Sequence, residues 1–416
     1  MNGFEELRAR GFVRQMTHPE LEEKISQGGM TFYVGFDPTA DSLHVGHFLA
    51  LMAMRRLQKI GHRPVVILGG GTAVVGDPTG KMEMRKMLDR QEIDANAKAL
   101  ETQFRRFLTL GDGPTDALML NNADWLLKLN YLEFLREFGV HFSVNRMLTY
   151  ESVRLRLEKG LTFLEFNYNL LQAYDFYHLF KTLGCTLQVG GDDQWANITA
   201  GMELIRRKEQ GEAFGLTYPL ITTSSGAKMG KTEKGAVWLD PDKTSPYDFY
   251  QFWINVDDAN ALPFLKFFTD LPLEEIAGIE AESAGDPRIA KRHLAFEVTA
   301  LVHGIEEAQK ARSAAEAAFG AARTITPDQD LPTVELSADA LGDRPLLAAL
   351  LADLGILSSR GEAKRLVAAG GLYINEQRVD DPLAVIGPEA VDTHGQIIVR
   401  QGKKRYHRIM VKDRRA

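Results

Sequence analysis

The 416-residue chain has a single cysteine, Cys185. One thiol closes no intrachain disulfide and builds no thiolate zinc cluster, which points to a reducing compartment, the cytoplasm. No apolar run reaches the ~18 residues of a membrane span. The first residues, MNGFEELRARGFVRQ, mix acids and bases and lack the apolar stretch of a secretory signal; they read as a helix. Two common phosphate-binding signatures are missing as well. Gly76-Asp77-Pro78-Thr79-Gly80-Lys81 puts three residues between its glycines, where a P-loop needs four, and Met82 follows the lysine instead of Ser or Thr. No GxGxxG follows the first strand, so a dinucleotide site is unsupported.

What is present is ordinary globular composition, 44% hydrophobic and 25% charged, which excludes a disordered, collagen-like or long coiled-coil chain. At roughly one domain per 150 residues, two or three domains are expected. Net charge is −7, which argues against nonspecific coating of nucleic acid. Its distribution is uneven. Residues 341–416 hold 13 Lys/Arg against 9 Asp/Glu, and seven of the last 14 residues are basic. A basic end on an acidic body suggests local contact with a polyanion, or else a solvated tail.

TFYVGFD at 31–37 reads as a short buried strand. HVGHFLALMAMRRLQKIG follows with helical spacing, and VVILGGG makes a second strand. This βαβ order implies a parallel sheet, whose ligands bind outside the strands' C-terminal ends. The clusters at 33–47, 69–85 and 188–194 all fall at such ends. Residues 92–180 and 248–323 are mostly helical by periodicity. The polar stretch 324–345 is a linker candidate, and 346–416 reads as a compact unit of two helices followed by strands.

Four groups of residues carry possible chemistry. His44 and His47, three apart and so expected on one helix face, flank Gly46 at a strand-to-helix junction, where free N–H groups and the dipole suit phosphate, and where Gly46 lets a flat base approach the backbone. They are otherwise two half-exposed histidines at a helix start. Lys228 and Lys231, in the glycine-bearing stretch TTSSGAKMGKTEKGA, are placed to close over a triphosphate, or form a solvated basic loop. Tyr168, Gln172 and Asp175 fall at i, i+4 and i+7, giving one polar stripe on an apolar helix. Such groups need partners, either in the core or in a ligand. Asp77, and Asp192, Asp193 and Gln194 after Gly190-Gly191, are polar groups beside glycines at strand ends, suited to ribose hydroxyls or an ammonium group, or else solvated loop acids.

Taken together, HVGH and KMGKT resemble the HIGH and KMSKS motifs of class I aminoacyl-tRNA synthetases. YVGFDPTADSLHVGH, NYNLLQAYDF, LQVGGDDQWANITAG and AVWLDPDKTSPYDFYQFWIN resemble the bacterial tyrosyl-tRNA synthetase family. The tail ILSSRGEAKRLVAAGGLYINEQRV resembles an S4-type RNA-binding domain. The resemblance implies an α/β chain with a Rossmann-like parallel-sheet catalytic domain over 1–222, carrying a helical dimer-interface insert near 120–160. A mobile lysine loop over 223–247, a helical anticodon-binding domain over 248–323, the linker 324–345 and an S4-like α+β domain over 346–416 follow. It implies a homodimeric tyrosine–tRNA ligase acting on tyrosine, ATP with Mg2+, and tRNA(Tyr), with no structural metal and no membrane contact. By matching position, Tyr33 and Asp175 would bind the substrate phenol and Asp77, Tyr168 and Gln172 its ammonium group. Gln194 would meet the acyl group. Gly46, Gly191, Asp193 and Lys231 would bind ATP. Thr39, His44, His47, Lys81, Arg85, Lys228 and Lys231 would surround the phosphates. Val34 and Ala50 stand where some relatives carry cysteine and threonine, and Asp192 stands where serine is usual. A tryptophan-specific sister synthetase, a nucleotidyltransferase with an HxGH turn and a non-catalytic RNA-binding protein are the rival readings.

Overall fold

The computed structural model describes residues 1–77, 89–221, 229, 231–232, 235–319, 331–402 and 405–412, with the side chains of Ser152, Lys231, Thr232, Ala318 and Phe319 set aside. The chain divides into two compact units, 1–244 with 256–294, and 245–255 with 295–416.

The first unit is built on a six-stranded sheet. Its strands are β1 (Gln15–Met16), β2 (Thr31–Phe36), β3 (Arg63–Leu68), β4 (Leu118–Asn121), β5 (Cys185–Gly191) and β6 (Phe214–Tyr218), in the order β1-β6-β5-β2-β3-β4. β6, β5, β2, β3 and β4 run parallel, and β1 joins β6 antiparallel. β3 is buried at five successive positions, the pattern of a strand covered on both faces. The helix Val45–Ile60 makes the crossover from β2 to β3 and stops at Gly61, whose φ of 107° few other residues adopt. The chain runs from β2 outward through β3 to β4, then returns to the other side of β2 with β5. The reversal point lies between β2 and β5, where open α/β sheets bind their ligands. The helices Tyr168–Leu183 and Trp195–Glu209 flank β5 in sequence and pack together.

The expected boundaries differ from the observed ones. β4 lies inside the stretch read as helical, because LMLN is too short to show a period. Helical region 248–323 is shared between the units. Its 256–294 portion is held to the helix Val45–Ile60 by Phe268, stacked on Phe48 with centroids 5.0 Å apart, and by Asp270. That carboxylate meets Arg55 at 2.6 Å and Lys59 at 2.9 Å.

The second unit pairs the helix Pro246–Ile254 with Ile305–Phe319, and carries a five-stranded sheet. Two short strands, β7 (Lys231–Thr232) and β8 (Gly235–Ala236), pair within the first unit. The second unit's strands are β9 (Thr333–Ser337), β10 (Leu372–Ile374), β11 (Gln377–Arg378), β12 (Gln396–Gln401) and β13 (Arg405–Lys412), in the order β11-β10-β12-β13-β9. The helices Leu347–Asp353 and Arg360–Ala368 cover it over a core that includes Leu351, Ala363, Leu372 and Ile397. The linker expectation for 324–345 fails at β9, which runs parallel to β13. Leu336 is buried in this core and Val334 packs against it, an alternation too brief to register among the prolines and aspartates.

Candidate active site

A cavity of about 290 Å³ opens at the C-terminal ends of β2 and β5. The helix Val45–Ile60 points its N-terminus at this opening. His44 is its N-cap, in extended conformation, and His47 its third residue. The two therefore form a reciprocal cap; they do not share one helix face. Gly46 N–H donates to His44 Nδ1 at 2.9 Å, and His44 N–H donates to His47 Nδ1 at 3.3 Å. Both Nδ1 atoms act as acceptors, so in each neutral ring the proton sits on Nε2. The rings stack with centroids 4.0 Å apart. Gly46 lines the cavity, but a Cβ there would stand 2.6 Å from His44 Cε1. The glycine makes room for the histidine as well as for a ligand.

The C-terminal part of the stretch 223–247, expected to be a mobile lysine loop, is bonded to this turn. Val45 N–H donates to Val237 C=O at 2.9 Å and Leu239 N–H to Leu43 C=O at 2.8 Å. Lys243 meets Asp41 at 2.8 Å, which holds the Asp41 carboxyl below its usual range. Lys81, Arg85 and Lys228 lie outside the described residues, and Lys231 is placed by its backbone in β7.

At the buried end sit Tyr33 and Asp175, 2% and 3% exposed. Burial raises the Tyr33 hydroxyl well above its ordinary pKa, with Asp175 adding to the effect, so it remains a donor. It makes a long 3.5 Å contact with the Gln172 carbonyl. Asp175 accepts from Asn122 Nδ2 at 2.9 Å and Trp125 Nε1 at 2.7 Å. Burial still wins over these two donors and pushes its carboxyl up to about 7. Asn122 and Trp125 were not anticipated. They follow β4 in NNADW, and a polar cluster at a strand end was the available signal.

A second network runs along the wall. Tyr168 Oη donates to Asp37 at 3.1 Å, and Thr72 Oγ1 donates to the other Asp37 oxygen at 2.8 Å. Gln194 Nε2 donates to Asp77 at 3.1 Å, and Gln172 Nε2 to Gln194 Oε1 at 3.1 Å. Asn197 donates to both glutamine carbonyls, at 3.0 Å to Gln172 and 2.9 Å to Gln194. Asp37, Thr72 and Asn197 also escaped the sequence reading. So did Gln188, a cavity-lining residue whose buried Oε1 has no hydrogen-bond partner among the described residues. Thr39, Gly191 and Asp193 also line the cavity. Val34 and Ala50 line it too, buried and apolar, so they offer no side-chain hydrogen bond.

The cavity thus joins a buried phenol-and-carboxylate end to a helix N-terminus carrying two imidazoles. A family model described as class I tRNA synthetases (W and Y) matches residues 26–320. The chain belongs to that family. A second model, described as the tyrosine–tRNA ligase SYY-like C-terminal domain, matches 325–409 of this synthetase. The tyrosine–tRNA ligase of Caldanaerobacter subterraneus subsp. tengcongensis is 51% identical over 414 residues, 99% of this chain and 100% of the relative. That of Clostridium kluyveri is 51% identical over 412 residues, with 99% and 100% covered. Among solved structures, a C-terminally truncated Aspergillus nidulans mitochondrial tyrosyl-tRNA synthetase superposes with a TM-score of 0.66 at 32% identity, covering 75% of this synthetase and 92% of that chain. The α/β parallel-sheet expectation holds for this synthetase.

Proposed function

We propose that this chain activates tyrosine with ATP and transfers the tyrosyl group to the 3′-terminal adenosine of tRNA(Tyr). The observation that carries the reading is Asp175, a buried carboxylate held by Asn122 and Trp125 beside the Tyr33 hydroxyl. A phenol satisfies both groups, accepting from Tyr33 and donating to Asp175. Phenylalanine displaces solvent from both groups and offers neither a hydrogen bond in return, and an indole brings a donor but no hydroxyl. Asp77, Tyr168 and Gln172 surround the ammonium group in this reading, and Gln194 the acyl group. Gly46, Gly191 and Asp193 hold the nucleoside. Thr39, His44 and His47, with Lys81, Arg85, Lys228 and Lys231, surround the phosphates.

The nucleophile in the first step is the tyrosine carboxylate, with a pKa of ~3.5 and ionised at neutral pH. Its oxygen bonds to the α-phosphorus, the bond to the bridging oxygen breaks, and pyrophosphate leaves. No general base is required. Positioning and charge stabilisation supply the rate. The histidine turn fits that task as a pair of fixed Nε2–H donors on a helix N-terminus. Mg2+ arrives with ATP. In the second step the terminal ribose hydroxyl of tRNA attacks the carbonyl carbon and AMP leaves.

The exposed side chains of Leu127, Tyr131, Leu132, Val140, Val144 and Leu148 support a homodimer, whose second copy covers this apolar face. The second unit supplies the tRNA contact, with Arg378, Arg400, Arg405 and Lys412 as basic residues. Arg400 lies over the Tyr373 ring, 3.4 Å from its centroid. No helix among the described residues is long and apolar enough to cross a membrane, and in this reading the chain works in the cytoplasm. The deciding experiment is ATP–pyrophosphate exchange. Tyrosine supports it and phenylalanine or tryptophan does not; equal rates with all three reject the pocket.

A further inference from the structure

Asp192 lies next to residues that face the cavity, yet does not line it. It opens a one-turn 3₁₀ segment, Asp192–Gln194, between β5 and the helix Trp195–Glu209. Its carboxylate meets β1 and β6 instead. Oδ1 accepts from Gln15 Nε2 at 2.5 Å and from Thr217 Oγ1 at 3.0 Å. Arg14 Nε stands 3.6 Å from Oδ2. Thr217 is fully buried. It sits opposite Gln15 in the β1–β6 pair and opposite Gly190 in the β5–β6 pair. One carboxylate therefore bridges three neighbouring strands across a single rung, at the point where β5 ends and the turn begins.

The turn has little freedom of its own. A Cβ on Gly191 would stand 2.8 Å from Asp193 Oδ1 and 3.1 Å from Leu220 Cδ2, so Asp193 is folded closely over Gly191. A small rotation of the turn moves both. We propose that Asp192 is a positioning residue for the ATP half of the site: by tying the turn to β1 and β6, it sets Gly191 and Asp193 at the nucleoside. The inference rests on the adenylating function proposed above. β1 therefore becomes part of this chain's ATP subsite through Gln15, although residues 14 and 15 precede the matched family segment. Arg14 is largely exposed and adds little.

The test is tyrosine-dependent ATP–pyrophosphate exchange on the full chain, with Asp192→Ala, Asp192→Asn and Thr217→Val, varying each substrate in turn. Asp192→Ala and Thr217→Val raise the KM for ATP about fivefold to tenfold, the effect of losing one or two hydrogen bonds. Tyrosine affinity, measured without ATP by equilibrium dialysis, stays within twofold. Asp192→Asn keeps an acceptor at Oδ1 and recovers most of the ATP affinity. Thr217→Val carries the test if Asp192→Ala does not fold. An unchanged KM for ATP, or parallel losses for both substrates, overturns the inference alone. Absence of exchange in the unmodified chain overturns the proposed function and this inference with it.

Discussion

Replacing Asp175 by asparagine should stabilise the free protein while damaging its function, and the gain should grow with pH. The carboxyl of an unfolded chain titrates near 3.9, whereas burial raises that of Asp175 to about 7 in the folded site. Between these values the folded state holds a proton that the unfolded state has lost. Stability contributed by the neutral acid is fully present below about pH 4 and drains away as pH rises through 7. At 1.36 kcal/mol per pH unit, the loss is about 4 kcal/mol by pH 8, and about 3 kcal/mol of it falls between pH 5 and 8. Asparagine does not titrate and avoids this loss. Its single carbonyl satisfies only one of Asn122 and Trp125, at a cost of ~1–3 kcal/mol. The variant should therefore be close to the parent at pH 5 and more stable at pH 8 by about 1–3 kcal/mol. Urea unfolding of the two proteins at several pH values, followed through the first unit, measures the difference. Tyrosine affinity should fall ~30-fold or more, the worth of a charge-assisted hydrogen bond. A stability difference that stays flat from pH 5 to 8 refutes the argument, because it means the Asp175 carboxyl titrates alike in both states.

Lys231→Ala should slow adenylate formation ~10²-fold, as for a lost transition-state contact, with tyrosine affinity unchanged; single-turnover kinetics and dialysis separate the two. Gly46→Ala should drive its Cβ into His44 and lower the adenylation rate by an order of magnitude or more without altering helix content by circular dichroism. Removing residues 331–416 should spare pyrophosphate exchange and abolish efficient tRNA charging. A cut at 341 is expected to behave worse, because it strands β9 without its partner β13. In the intact chain, tRNA affinity should fall steeply with added salt.

The polar stripe on the helix Tyr168–Leu183 was legible because helical spacing alone puts residues 168, 172 and 175 together, and the structure brings all three to the cavity. The histidine turn was legible because HVGH sits where a strand gives way to a helix. The groups that tune these residues were harder to see. Trp125 and Asn122 reach Asp175 across 50 and 53 positions, so no local period links them. Asp37 reads only as the polar end of the strand TFYVGFD until Tyr168 and Thr72 are seen to donate to it. The helical stretch after 248 gave no sign of its division, since α-periodicity reports that a face is buried and not which body buries it.

The placement of β2 also sets a timetable for synthesis. One of its edges pairs with β3, which ends at Leu68, while the other waits for β5, which starts at Cys185. At ~5–20 residues per second, translation takes roughly 6–24 seconds to span that interval of about 120 residues. Throughout it, the nascent chain carries a bare hydrogen-bonding edge beside Tyr33. The strand that completes the pocket also ends that exposure, so ribosome-bound intermediates shorter than about 190 residues are the ones most in need of a chaperone.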